Sequence, residues 1–364
     1  MVLRPPLGQL EATGLPTSRE TPKEEADNWL ADESAIKFTR KILLPGLSRG
    51  FDHVHSTADG SVCLLVVGTA LINAALSVNT LVSSASFDLT KTYFILSGIA
   101  GGNPRLTTLG GVAFARFAVQ VDTQMEWDSR EMPSSWKAGY VPMGAHTPDS
   151  FPLGVHGSEV YELNDNLRQI SIEFARQATL EDSKRAAATR AEYAGSPAIL
   201  EGDVLSSNTF WHGFYLSEAM DNVTKVYTAG KGRYAMTAQE DTAILTALLR
   251  AALLGKADFS RILLMRAAAN FDREPTMDVP PQLPWVMDSG GLVPAVRNLY
   301  NTGVKIINGI LAGWSKRFEE GIEPDNYIGD IFGSLGGTPG FAPGGLGNSG
   351  SACSANKPLE PLVD

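Results

Sequence analysis

Only two cysteines occur in 364 residues, Cys63 within an apolar run and Cys353 in a glycine- and serine-rich tail. Neither stands at metal-ligand spacing, and no structural disulfide is expected. No HExxH or CxxC joins the five histidines, His53, His55, His146, His156 and His212, so no metal site is expected. Long apolar runs are lacking too. The longest, residues 62–75, is interrupted by Gly68 and Asn73 and falls short of the roughly 18–20 residues that a spanning helix needs. The opening MVLRPPLGQLEATGLPTS holds no apolar centre of a signal peptide. No basic block with interleaved aromatics appears, and the formal net charge is −10, which argues against a nucleic-acid backbone as partner. These absences lead to the expectation of a cytoplasmic chain without a membrane span, whose partner is a small molecule.

What is present is ordinary for a globular protein: 43% hydrophobic and 19% charged residues. Residues 1–24 are rich in Pro, Gly, Thr and charge and read as a loosely packed leader. Residues 25–332 read as one α/β domain, and residues 333–364, rich in Gly, Ser and Pro, as a flexible tail. Residues 122–157 carry prolines, glycines and Trp127, Trp136 and Tyr140 with little periodicity, an excursion read as a lid or an interface.

The organising stretch is residues 92–121. An apolar run, residues 93–96, ends in Gly98-Ile99-Ala100-Gly101-Gly102-Asn103-Pro104, and a second apolar run follows over residues 112–121. Strand, glycine-rich loop, strand is the simplest reading. Such a loop either lets a ligand approach the backbone or simply makes a tight turn, and the loop alone leaves both open. It is not a GxGxxG fingerprint, since no amphipathic helix follows directly. Upstream, residues 62–67 read as a buried strand. Helical spacing follows over residues 70–83, with Leu71, Ala74, Ala75, Val78 and Val82 on one face. With residues 93–96 this predicts a βαβ unit.

Further on, residues 164–177 predict a helix capped by Asn164 or Asp165, and residues 199–205 a strand. A helix is predicted from about residue 240 to 254 and a long one over residues 291–317, with a strand at 262–265. Polar and aromatic residues gather where strands end: 98–103, 208–212 and 270–273, with the helix start at Glu240-Asp241 as a fourth candidate. If those strands are neighbours, the groups converge on one pocket. Each has a plainer reading by itself. Glu240-Asp241 in a first turn would complement the helix dipole, worth about 0.3–1 kcal/mol. Phe210-Trp211 would be core, and Asn270-Phe271-Asp272-Arg273 a turn with a surface ion pair.

Several segments resemble the nucleoside phosphorylase and nucleosidase superfamily. They are Val67-Gly68-Thr69-Ala70-Leu71-Ile72-Asn73-Ala74-Ala75-Leu76-Ser77, Ser97-Gly98-Ile99-Ala100-Gly101-Gly102, Ser206-Ser207-Asn208-Thr209-Phe210, Gln239-Glu240-Asp241-Thr242-Ala243-Ile244 and Arg266-Ala267-Ala268-Ala269-Asn270. Over more than four-fifths of its length the chain also resembles the fungal and bacterial purine nucleoside permease family, through GKGRYAMTAQED, DFSRILLMRAAANFDR and NYIGDIFGSLGGTP.

The resemblance implies a three-layer αβα domain with a mixed central sheet, nucleoside phosphorylase-like, that cleaves the N-glycosidic bond of a purine nucleoside. It implies Glu240, Asn270 and Asp272 as catalytic candidates. Glu240 would accept hydrogen bonds from ribose hydroxyls, and Asn270 would donate to the purine. Gly98, Ile99, Ala100, Gly101, Asn208, Phe210, Trp211, His212 and Gln239 would bind substrate, with Phe210 stacking on the base. Asn270 stands where the family commonly has Asp, and Asn cannot protonate the base. Ile99 stands where many phosphorylases place Ser or Thr, so hydrolysis is favoured over phosphorolysis. No cofactor is expected, with phosphate admitted as a co-substrate, and the chain is expected to form homo-oligomers. The alternatives are a non-nucleoside substrate in secondary metabolism, or a non-catalytic nucleoside-binding or transport-accessory protein.

Overall fold

The ten residues Ile262–Phe271, ILLMRAAANF, form the longest strand and the spine of the molecule. Leu264 and Ala268 turn to one side, where they join Ala74, Val78, Leu81, Ile244, Leu245 and Leu248. Leu263, Met265 and Ala267 turn to the other, against Leu167, Ile170, Ala295, Leu299 and Ile306. A strand apolar on both faces needs a helix layer on each side, and each fully buried Leu or Ile contributes about 1.5–3 kcal/mol. This is the expected α/β arrangement, a mixed sheet between two helix layers.

The computed structural model describes residues 21–189, 195–274 and 289–341. In chain order come α1 (Thr21–Leu30), β1 (Phe38–Leu43), β2 (His53–Thr57), β3 (Cys63–Leu64), α2 (Ala70–Ser83), β4 (Phe94–Gly102), β5 (Val112–Ala115), β6 (Phe117–Gln120), β7 (Gln124–Glu126), β8 (Tyr140–Pro142) and β9 (Val160–Glu162). Then follow α3 (Asp165–Ala175), α4 (Lys184–Thr189), β10 (Ile199–Glu201), β11 (Asp203–Ser206), α5 (Phe214–Tyr227), β12 (Tyr234–Ala238), α6 (Asp241–Leu253), β13 (Ile262–Phe271), α7 (Leu292–Ala312) and β14 (Gly329–Asp330). Among the described residues nine strands make the main sheet in the order β10-β5-β13-β4-β12-β11-β6-β9-β14, and β1-β2-β3 form a separate small sheet. Strand β13 runs parallel to β4 and antiparallel to β5.

The predicted βαβ unit does not form. Residues 62–67 yield only the two-residue strand β3, which pairs with β2 and not with β4. The helix α2 does form where expected, but its preceding segment stands away from the main sheet, and a cavity fills the gap. The glycine-rich stretch is likewise no loop: Gly98, Gly101 and Gly102 lie inside β4 and pair with β13. None of the three has positive φ. They are needed instead for close approach. A Cβ on Gly101 would stand 2.6 Å from Thr237 Oγ1, and one on Gly102 2.7 Å from the Thr107 methyl. The expected strand over residues 112–121 is split at Arg116 into β5 and β6. There the buried Asp203 carboxylate draws in the backbone N–H groups of Arg116 and Phe117, at 2.9 and 2.8 Å.

Residues 1–20 and 342–364, most of the expected leader and tail, lie outside the described residues. Helix α1 begins at Thr21, inside the expected leader, and Phe341 is buried edge-on against Phe117 and Tyr327 rather than loose in a tail.

Candidate functional site

A cavity of about 380 Å³ lies between residues 62–69 on one side and β4 on the other. Its polar end is built around Arg266, the single charge in the apolar run of β13. Arg266 shares the strand parity of Leu264 and Ala268, so the alternation points it toward the α2 and α6 layer. Buried there, it must be paired. Its Nε donates to both oxygens of Asp241 at 3.1 Å, its Nη2 to Asp241 at 2.5 Å and to Glu240 Oε2 at 3.0 Å, and its Nη1 to Ile99 O at 3.1 Å. Burial opposes the charge of Arg266, but Asp241, Glu240 and Glu25 outweigh it, and its pKa stands above the usual arginine value.

Glu240 immediately precedes α6 and is brought inward by the end of β12. Its second oxygen accepts the N–H of Ala70 at 3.1 Å. Ala70 opens α2, so the carboxylate also sits on a helix N-terminus, where the peptide dipoles favour a negative charge. The turn that aims this N–H is strained: Gly68 has φ +81° and Ala70, a non-glycine, φ +73°. Next to it, Asn208 Oδ1 accepts Leu71 N at 3.0 Å.

A third carboxylate comes from far upstream. Glu25 on α1 reaches over Gly98 and accepts Ile99 N at 2.6 Å. Strand β12 pairs with β4 only at Gly101 and Gly102, so the edge of β4 before them is open to a side chain. Burial raises the Glu25 carboxyl, Arg266 and the Ile99 N–H lower it, and Glu240 and Asp241 raise it, with the result at about 7.

The expected residues divide in two. Gly98, Ile99, Ala100, Gly101, Phe210, Trp211, Gln239, Glu240 and Asn270 all line this cavity. Asn208, His212 and Asp272 do not. Asn208 holds the start of α2, as described. His212 Nε2 pairs with Glu274 Oε1 at 2.7 Å. Asp272 is buried, accepts the Tyr234 hydroxyl at 2.5 Å and is ion-paired with Arg273 at 2.9 Å. The plain reading of residues 270–273 as a surface ion pair also fails, since both charges are buried.

Sequence reasoning passed over Arg266, Glu25, Trp29 and Thr237, which line the cavity as well. Arg266 left a signal: one arginine amid ILLM and AAA is a charge that a buried strand cannot leave unpaired. Residues 122–157 supply none of the residues that line this cavity. Part of that stretch forms the hairpin of β7 and β8, with Trp127 and Trp136 packed edge to face at 5.4 Å.

Comparison with known proteins bears on what the cavity serves. The family model described as Purine nucleoside permease (NUP) matches residues 19–323. The chain belongs to the purine nucleoside permease family. A purine nucleoside permease of Candida albicans (strain SC5314 / ATCC MYA-2876) is 36% identical over 330 residues, covering 87% of this chain and 80% of that protein. A probable purine nucleoside permease of Schizosaccharomyces pombe is 35% identical over 309 residues, covering 80% and 87%.

Solved structures also resemble the chain. One is a 5'-methylthioadenosine/S-adenosylhomocysteine nucleosidase of Neisseria meningitidis, with TM-score 0.45, 15% identity, and 79% and 95% of the two chains covered. Another is the futalosine hydrolase of Helicobacter pylori, with TM-score 0.48, 13% identity, and 79% and 94% covered. At these scores and identities they carry nothing about activity to this chain.

The expectation of a bond-cleaving enzyme is thereby overturned. The purine nucleoside permease relatives, at more than a third identity, bear a transporter's name, and so does the family model. Among the described residues no helix is long and apolar enough to cross a membrane.

Proposed function

We propose that this chain captures a purine nucleoside in the cavity around Glu240, and that this capture is its part in nucleoside uptake. The observation that carries the reading is the way Glu240 is held. One oxygen is bonded to Arg266 and the other to Ala70 N, which fixes the carboxylate facing the cavity. A carboxylate has about four acceptor positions, so each oxygen keeps one for a ribose hydroxyl. Asn270 spends one amide hydrogen on Phe271 O at 3.1 Å and keeps a donor and an acceptor for a purine edge. Phe210 is 60% exposed at the rim, a ring with a free face for a base. A volume of about 380 Å³ falls within the roughly 300–1,000 Å³ of small-molecule pockets. The reading needs no cofactor.

Equilibrium dialysis of the purified protein against labelled inosine, adenosine and uridine tests it. Both purine nucleosides should bind in preference to uridine. Glu240→Ala removes two hydrogen bonds to a charged group, about 1.5–3 kcal/mol each, and should weaken inosine binding at least about 100-fold. Absence of purine binding, or an unchanged Glu240→Ala variant, would overturn the proposal.

Two finer expectations belong with it. The cytoplasmic placement is checked by fractionating cells that express the tagged chain, which should leave it out of the membrane pellet. Self-association is proposed through the β7–β8 hairpin, where Trp127 is 38% exposed. Sedimentation should show an oligomer at micromolar concentration that Trp127→Ala dissociates.

A further inference from the structure

Helix α1 forms one wall of the cavity through Glu25, Ala26 and Trp29, and Trp29 packs into a small apolar cluster with Ile36, Val62 and Ile307. Trp29 lies against Gly303, where a Cβ would come within 2.6 Å of its ring, and packs edge to face on Tyr300 at 5.0 Å. Ala26 is buried. A polar anchor is the Glu25 carboxyl on Ile99 N, placed beside the charges of Arg266, Glu240 and Asp241. Every charged group acting on Glu25 there comes from the main body: Arg266 from β13, and Glu240 and Asp241 from the start of α6. Helix α7, the other element packed along α1, meets it with Gly303 and with Tyr300, whose hydroxyl accepts Ala35 N at 2.7 Å. Strand β4 contributes backbone.

The charges do not balance. Among the described residues Arg266 is the one cation set against the three carboxylates, and four of its five N–H groups are spent on Asp241, Glu240 and Ile99 O. A neutral Glu25 fits this centre, because it adds no third negative charge. An ionised Glu25 adds one in a half-buried place.

We propose that α1 is a proton-operated latch on the cavity, seated while Glu25 is protonated and loosened when that proton leaves. The inference rests on the reading that the cavity holds the nucleoside, whose escape the latch would govern. The direction follows from linkage. A carboxyl at about 7 when seated and at its ordinary 4.5 when released binds its proton more tightly in the seated state. Seating is therefore at full strength below pH 4.5, weakens as the pH rises, and levels off above pH 7.

The test is hydrogen exchange of residues 21–30 in the full-length, ligand-free protein, referred at each pH to the intrinsic exchange rate. Protection should fall roughly 70-fold from pH 5 to pH 8. In Glu25→Gln, an uncharged isostere, it should stay high and flat. Trp29→Ala, which weakens seating without touching a carboxylate, should lower protection at both pH values and keep the slope. Inosine dissociation, followed in parallel, should quicken with pH in the native protein and not in Glu25→Gln. A flat native profile, or a slope that persists in Glu25→Gln, overturns the latch. Sloping protection in a protein that binds no inosine supports the latch and overturns the nucleoside reading alone.

Discussion

Arg266→Met should destabilise the protein by about 3–5 kcal/mol, the usual result of removing one partner from a buried ion pair. The reason lies in what is left behind. Asp241 is 0% exposed, and among the described residues its side-chain hydrogen bonds come from Arg266. Burial already raises the Asp241 carboxyl above its ordinary range, with Arg266 opposing. Without the guanidinium that rise is unopposed, and Asp241 takes up a proton on folding. The folded variant then binds more protons than its unfolded chain, so its loss of stability should be smaller at pH 5 than at pH 8. Urea unfolding at both pH values checks the size and the sign. Arg266→Met combined with Asp241→Leu should recover much of the loss, because it removes the stranded charge as well. If Arg266→Met is as stable as the native protein, the pair does not hold the site together.

Gly98→Ala should have the second-largest effect. The added methyl group would collide with Arg266 Nη1 and stand 3.2 Å from Glu25 Oε1. A free arginine end would swing aside at little cost. This one is tied to Asp241, Glu240 and Ile99 O, so either β4 shifts or the guanidinium leaves its partners. Forcing a methyl into such packing costs about 1–3 kcal/mol. Thermal unfolding should show that loss, and exchange of residues 21–30 should be fast at every pH, since the seat of Glu25 is gone. A comparable Gly255→Ala change, at a helix end with nothing within 4 Å, has only its positive φ against it and should leave α1 protection intact.

Most helices were readable because their signals are local, but α5 (Phe214–Tyr227) was not read at all. Asn164 caps α3 through Leu167 N at 3.2 Å, and the apolar spacing of α2 gave its bounds. The convergence of Glu240, Asn270, Phe210 and the Gly98–Gly101 stretch on one cavity was also readable, since each lies at the end of a strand or beside it. Pairing was not. An apolar run such as residues 62–67 is equally fit for a main-sheet position or for a small sheet of its own, and composition does not choose. The glycines of β4 were misjudged for the same reason. Their value is the room they leave for Thr237, Arg266 and Glu25, all distant in sequence. Asp272 was placed wrongly because strict alternation, which would put it on the same face as Asn270, fails there: β13 is irregular between Ala268 and Asn270 and ends at Phe271, before Asp272. Asn270 stands at the irregular step of β13 and faces the cavity, while Asp272 turns to Arg273 and Tyr234. Glu25 had no sequence signal, being one acid among several in a polar stretch.

The wiring of the charge centre has a consequence for how the chain is made. On a ribosome, Asp241 emerges 25 residues before the arginine that neutralises it, and Glu240 26 before. Strand β4 must wait longer still for β13, its parallel neighbour from the far end of the chain. Until then the nascent protein holds two acids without their cation and a glycine-rich strand without its main partner. Long-range parallel pairing of this kind is slow. Synthesis arrested before residue 262 should therefore leave a chain that chaperones retain, and release should follow only once Arg266 has cleared the exit tunnel.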